Sequence, residues 1–370
     1  MLKTIALVTG GGDAPGLNAV IRAAVKTAVN EYGLRVIGVE DGYDGLLGET
    51  CTRGLTAADV RGLLPRGGTL LGTRNRGRFV VREKGGVSHM PEEVFREAIG
   101  NMGRLGIDAL VAIGGEGTLA IASEFHRHGF PVVGVPKTID NDLAATELTF
   151  GFMTALDIAT EALDRLHTTA ESHDRVMVLE VMGRHAGWIA LYAGVSGGAD
   201  VILIPEIPFS MENVAEKVRE RDGCGAQFSI IVVAEGAKEV EGEEVYVAAG
   251  DRQSAPRLGG IGHRVAEEVA RRTGKESRCV VLGHLQRGGS PNAFDRLLAT
   301  SYGSAAVRAL MSGERGVMVA HQASTVRTVP LADAVANIKT VPSDSQIVRT
   351  ARDVGASFAA PDEGRQHQRC

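Results

Sequence analysis

Residues Ile5 to Ala28 read IALVTGGGDAPGLNAVIRAAVKTA, and the change of period inside this stretch decides the fold. Four apolar residues in succession, Ile5 to Val8, suit a strand buried on both faces. Three glycines follow. Past Pro15, Leu17, Val20, Ile21, Ala24, Val25 and Ala28 recur at the spacing of one buried helix face. Strand, glycine turn and helix in that order form the unit of a doubly wound α/β layer, with loop amides and a helix N-terminus at the end of the strand.

The alternation continues outward from this unit. Short β-branched runs occur at Arg35 to Val39, Ala109 to Ile113, Val132 to Val135, Val176 to Val181, Val201 to Ile204, Ser229 to Val233 and Cys279 to Leu282, and they predict buried strands of a parallel sheet. A chain of 370 residues is too long for one ordinary core. The expectation is therefore two doubly wound, Rossmann-like α/β domains with ligand in the cleft between them. A helical pattern from Phe150 to His173 puts the change of domain near 150, and the GGSP turn at Gly288 to Pro291, opening a helix from about Asn292 to Met311, marks a second crossing. Residues 1–150, completed by about 288–338, form one domain, and 151–287, completed by about 339–360, the other. Residues 361–370 have no apolar period and read as a frayed tail.

Composition narrows the class of function. A net charge of −5 with 44% hydrophobic and 23% charged residues suggests neither a polyanion-binding surface nor an acidic tail, so no nucleic-acid partner is expected. No run of eighteen apolar residues is present and the opening MLKTIALVTGGG is too short for a signal core, so the expectation is no membrane partner and a cytoplasmic location. Cys51, Cys224, Cys279 and Cys370 show neither CxxC pairing nor metal-ligand spacing, and they read as free thiols. Glycine is in excess, with 48 residues against roughly 26 at ordinary usage. Much of the excess lies directly after the apolar runs, where α/β proteins place phosphate loops.

Five such clusters carry candidate chemistry. TGGGDAPGLNAVIR, residues 9–22, offers amides and a helix N-terminus to a phosphate, or is simply a βα turn. IGGEGTLA, residues 113–120, sets Glu116 among Gly114, Gly115 and Gly117, where a carboxylate could hold Mg²⁺ beside donor phosphates or simply complement a helix dipole. VVGVPKTIDNDL, residues 132–143, gathers Lys137, Thr138, Asp140, Asn141 and Asp142 in one turn; two carboxylates there can divide proton removal and positioning, the alternative being a solvated Asx turn. VMGRHAGW places Arg184 and His185, and LGHLQRGGSP places His284 and Arg287, at strand ends suited to an anion. From spacing alone Arg175 and Arg278 read as ordinary surface charges.

Taken together and in this order, GGDAPGLN, GGEGT, PKTIDND, VMGRHAG and GHLQRGGSP closely resemble the 6-phosphofructokinase family, over roughly residues 1 to 340. The resemblance implies phosphoryl transfer to the 1-hydroxyl of fructose 6-phosphate, with the 1–150 domain holding the donor and the 151–287 domain the sugar phosphate. Carried over by position, it implies that Gly12 lies over the donor phosphates with Gly77, Gly115, Gly117 and Thr118, that Arg76 in GTRNRGR reaches the transferred group, and that Glu116 helps to hold Mg²⁺. It makes Asp140 the general base, with Thr138, Ile139 and Asp142 beside the hydroxyl, and puts Met182, Gly183, Arg184 and Glu235 on the sugar or the transferring group. His284, Leu285, Gln286 and Arg287 would grip the 6-phosphate with Arg175 and Arg278, which arrive from a neighbouring subunit in relatives; a homodimer or homotetramer follows.

The donor is where this chain departs from the common patterns. ATP enzymes of the family have GGDG and PGTIDND, whereas pyrophosphate enzymes carry an Asp after GGD and the Lys of PKTIDND. Here Gly117 stands with Lys137, a mixture that resembles the mixed-substrate group III subgroup. Gly117 favours ATP, because an Asp there would exclude an α-phosphate by bulk and like charge. Arg22 and Lys26 match half of the effector site of regulated relatives, but DGCGAQF, residues 222–228, has no lysine for the other half. Lipid and NAD kinases share a GGDG-type loop without PKTIDND or GHLQRGGSP, and a non-catalytic sugar-phosphate binder has no need of Glu116, Asp140 and Asp142 together.

Overall fold

The computed structural model describes residues 2–74, 77–82, 88–243, 245–248 and 257–362. The described chain forms two compact units, one of residues 2–154 and 287–338, the other of 155–248, 257–286 and 339–362.

The first unit opens with β1 (Thr4–Thr9), α1 (Leu17–Tyr32), β2 (Arg35–Val39) and β3 (Thr52–Leu55), and has a small antiparallel pair, β4 (Val81–Arg82) with β5 (Ser88–His89). It continues through α2 (Glu92–Leu105), β6 (Ala109–Gly114), α3 (Glu116–Arg127), β7 (Val132–Thr138) and β8 (Phe150–Gly151), the start of α4 (Phe152–His173) following directly. In the second unit lie β9 (Val176–Val181), α5 (Trp188–Ser196), β10 (Val201–Leu203), α6 (Met211–Gly223), β11 (Ser229–Ala234), β12 (Tyr246–Ala248), β13 (Arg257–Leu258), α7 (Ile261–Thr273) and β14 (Ser277–Val281), and later α10 (Gln346–Asp353). The first unit regains α8 (Ala293–Met311), β15 (Val317–Gln322), β16 (Thr325–Pro330) and α9 (Leu331–Val335).

The sheet of the first unit runs β16-β15-β7-β6-β1-β2-β3, with β8 paired to the end of β7. Successive residues of β1 face opposite sides. Ile5 and Leu7 therefore join α1 and α8 in one core, and Ala6 and Val8 join α2, α3 and α9 in another. Because both faces are covered, every residue of β1 and β6 is buried. The second unit has a four-stranded parallel sheet, β10-β11-β9-β14, with α6 and α7 packed on one face.

Mixed α/β architecture on parallel sheets agrees with the sequence reading, with three corrections. The edges of the larger sheet are antiparallel: β3 against β2, and β16 against β15. The run around Cys279 to Leu282, expected as a buried strand, is the edge strand β14, where Val280 and Val281 are exposed; apolar content cannot distinguish a strand with one neighbour from a strand with two. Cys51 and Cys279 are free thiols, but Cys224 is disulfide-bonded, a pairing to which local spacing rules are blind. Among the described residues no helix is long and apolar enough to cross a membrane.

Candidate active site

Three strands of the first unit, β1, β6 and β7, pair in parallel register and deliver three motifs to the C-terminal ends of the strands. Behind β1, Gly10 donates its N–H to Ile113 O and Gly11 to Arg74 O, while Thr73 Oγ1 donates to Gly11 O at 2.6 Å. Thr118 explains the small residues here. Its side chain occupies the space that a Cβ on Gly10 or Gly114 would fill, and its carbonyl accepts the buried Tyr43 hydroxyl at 2.9 Å. Thr118 thus packs the two loops together with its side chain, leaving only its amide near the start of α3.

Helix α3 begins directly after β6, with Gly115 as N-cap and Glu116 and Gly117 in the first turn. Both are exposed. The free amides of that turn and the positive end of the helix dipole suit donor phosphates. A Cβ built on Gly117 would meet nothing within 4 Å, so the space beside this start of the helix is open. Among the described residues no three His, Cys, Asp or Glu side chains gather as a metal cage. One exposed carboxylate beside a phosphate site nevertheless fits Mg²⁺, which is usually held by one or two carboxylates, substrate phosphates and water.

Strand β7 ends in Lys137 and Thr138, and the turn after it carries Ile139 to Asp142. Lys137 is 3% exposed and its Nζ donates to Gly12 O, tying the third motif to the first. Burial, and secondarily the Arg287 guanidinium, push its ammonium down to about 7 against the pull of Asp13, Asp140 and Asp142. Asp140 donates its N–H to Thr138 Oγ1 at 3.1 Å, and its Oδ1 is buried without a hydrogen-bond partner. Desolvation and the neighbouring Asp142 carboxylate raise Asp140 well above the ordinary carboxylate range, outweighing Arg287 and Lys137. Asn141 adopts φ 50° and holds the turn: its Oδ1 accepts from Thr149 N at 3.1 Å and its Nδ2 donates to Glu147 O at 3.2 Å. Ile139 points into the core and is 0% exposed, so only its backbone can face a ligand.

Arg287 lies in this unit too. Its Nη1 donates to Asp13 O at 3.1 Å and stands 2.9 Å from the position of a Cβ on Gly12. The resemblance places Arg287 on the sugar phosphate; its bond to Asp13 is invisible to a motif, because nothing local links residues 274 positions apart. Gly77 lies against Asp44, whose Oδ1 accepts from Arg78 N at 3.0 Å. Arg76 lies outside the described residues.

In the second unit β9 leads into Met182, Gly183 and Arg184. Gly183 has φ 139°, and a Cβ there would sit 2.8 Å from Ala186 O. Gly236 donates to Gly183 O at 3.1 Å, while the backbone of Arg184 fills the space beside Gly236. Glu235 precedes it and donates its N–H to Val181 O at 2.9 Å. Arg184 keeps a buried Nε without a partner. His284 and Leu285 are exposed and Gln286 is fully buried within the 3-10 turn Gly283–Arg287. Directly before β9, Arg175 Nε lies 3.0 Å from Glu276 Oε2, and Arg278 of the neighbouring strand β14 pairs with the other oxygen of the same carboxylate.

Parallel strands that end in glycine loops, a helix N-terminus and a partly desolvated acid define a phosphate-handling α/β protein. The chain belongs to the phosphofructokinase family, whose model matches residues 4–310. It is 59% identical over 356 residues to an ATP-dependent 6-phosphofructokinase of Chloroflexus aggregans, covering 96% of this chain and 98% of that one. It is also 52% identical to a pyrophosphate–fructose 6-phosphate 1-phosphotransferase of Amycolatopsis methanolica, covering 92% and 96%. Among solved structures it resembles Pichia pastoris phosphofructokinase in the T-state, at 32% identity and TM-score 0.78 over 96% of this chain; it spans 39% of that longer chain.

Proposed function

We propose that this protein is a 6-phosphofructokinase that transfers the terminal phosphoryl group of MgATP to the 1-hydroxyl of fructose 6-phosphate, acting in glycolysis in the cytoplasm. The observation that carries the reading is Asp140: an aspartate of raised pKa with one buried, unpartnered oxygen, on the strand end adjoining two glycine loops. Such a group is expensive to keep unless a ligand hydroxyl completes it.

Gly12, Gly77, Gly115 and the first-turn amides of α3 hold donor oxygens, with Arg76 toward the transferred group. Glu116 would hold Mg²⁺, which when bound lessens the charge of the donor phosphates. Asp140 accepts the proton of the 1-hydroxyl, late in a loose transition state, so it need not be a strong base. Thr138 and Asp142 orient that hydroxyl, and Lys137 offsets charge at the Gly12 loop. Met182, Gly183, Arg184 and Glu235 bind the sugar and the transferring group, with Arg184 spreading charge from the equatorial oxygens. His284 and Arg287 take the 6-phosphate; Arg287 spends one of its five donors on Asp13 O. Arg175 and Arg278 complete that site in a neighbouring copy of a homodimer or homotetramer.

ATP is favoured because the space at Gly117 is open and because the relative from Chloroflexus aggregans, at 59% identity, is named as ATP-dependent. Pyrophosphate remains the second reading through Lys137 and the relative at 52% identity. A coupled assay of fructose 1,6-bisphosphate formation with each donor decides between them. Faster turnover with MgATP supports the first reading, and a preference for pyrophosphate overturns the donor assignment while leaving the sugar reaction in place.

A further inference from the structure

Gln286 was expected to touch the sugar phosphate, yet its side chain is fully buried. Its Oε1 accepts the N–H of Met182 at 2.8 Å, across 104 residues of chain. Nε2 and Oε1 cannot be exchanged, because a flipped amide would set its NH2 against the Met182 N–H, donor against donor. The remaining end, Nε2, is buried and has no hydrogen-bond partner among the described residues.

A glutamine kept for stability alone would be a poor choice in this position. One amide hydrogen bond contributes about 1 kcal/mol net, and an unpaired buried donor costs about 1–3 kcal/mol, so a methionine of similar length would serve the core as well or better. The bond itself falls where geometry matters. Met182 opens the turn that presents Gly183 and Arg184, a turn already constrained by the φ of Gly183 and by the close approach of Gly236. Gln286 sits in the same short 3-10 turn as His284, two residues before it. One side chain therefore joins the segment that carries Arg184 to the segment that carries His284.

We infer that Gln286 is a positioning residue for fructose 6-phosphate: it sets the Met182–Arg184 turn relative to His284 through the Met182 amide and makes no side-chain contact with the sugar. The inference rests on the reading of this site as a phosphofructokinase site. Misplacing a binding group by about 1 Å can cost up to ~10² in rate, and the loss should fall on the sugar and spare the donor.

The test compares native enzyme, Gln286→Met and Gln286→Glu by steady-state kinetics in both substrates, with thermal melts alongside. Gln286→Met should raise KM for fructose 6-phosphate about tenfold or more, with KM for the donor within about twofold and the melting transition retained. Gln286→Glu keeps an acceptor for Met182 N–H, and burial favours its neutral form. Because either protonation state accepts that N–H, it should recover most of the affinity, its sugar KM staying within about threefold of native enzyme at the same pH. An unchanged sugar KM in Gln286→Met, or equal rises in both KM values, overturns the inference. If Gln286→Met loses its melting transition, Gln286→Glu decides, and a folded Gln286→Glu enzyme whose sugar KM rises about tenfold or more although the acceptor for Met182 N–H is kept overturns it. Native enzyme inert toward fructose 6-phosphate would instead overturn the functional reading and this inference with it.

Discussion

Asp140 concentrates the chemistry at the scale of single residues. Removing a general base costs at least ~10² in turnover, so Asp140→Asn should lower kcat by that factor while leaving fructose 6-phosphate affinity nearly intact; near-native turnover would take Asp140 out of that role. Its raised pKa has two consequences. Native kcat should fall as pH drops through a value above the ordinary aspartate figure of about 3.9, because protonation removes the base. Stability moves in the other direction: the folded state favours the protonated acid, a contribution that is full below the unfolded pKa and lost as pH rises through the folded one. Asp140→Asn should therefore melt higher than native protein at pH 7.5, with a smaller difference near pH 4.5; equal differences would show that the carboxylate is not strained by burial. Gly117→Asp tests the donor. The open space and the helix dipole accommodate the new side chain, so melting should barely move. Two charges about 4 Å apart repel by roughly 4 kcal/mol at an effective dielectric of ~20, so kcat/KM for ATP should fall by ~10² or more while pyrophosphate suffers less.

Glycine loops determine how the elements meet, and they separate what the sequence disclosed from what it hid. The strand–glycine–helix unit over Thr4–Tyr32 was legible because its period changes within a few residues. The turn after β7 was legible because Lys137, Asp140, Asn141 and Asp142 are too dense to be accidental. The roles of Thr118, Ile139 and Gln286 were not, since a motif records residue type and order, whereas burial depends on which distant segment packs alongside. Thr118 fills the space beside Gly10, Ile139 joins the core, and Gln286 reaches Met182. The antiparallel edges β3 and β16 escaped notice because short half-exposed strands lack a continuous apolar run. Gly183 gives a test at this scale. An alanine there would meet both a left-handed φ and Ala186 O at 2.8 Å, at a cost of about 1–3 kcal/mol. Gly183→Ala should lower the melting temperature and raise KM for fructose 6-phosphate, with donor KM little affected; a variant that melts and binds like native protein would show that the turn relaxes freely.

Arg175 and Arg278 both pair with Glu276 beside the edge strand β14, whose Val280 and Val281 are exposed. If the two arginines serve the 6-phosphate site of a neighbouring copy, Arg278→Ala and Asp140→Asn are each inactive yet complementary. Dissociated, mixed and reassembled, they should recover part of the native activity; a fully active monomer by light scattering would contradict this. The central claim is the transfer itself, and phosphorus NMR reads it without coupling enzymes. Native protein incubated with MgATP and fructose 6-phosphate should give a C1 phosphate signal of fructose 1,6-bisphosphate that grows in step with ADP, and Asp140→Asn should give almost none in the same time. ADP appearing with free phosphate and no sugar bisphosphate, or equal product from the Asp140→Asn variant, would contradict the account.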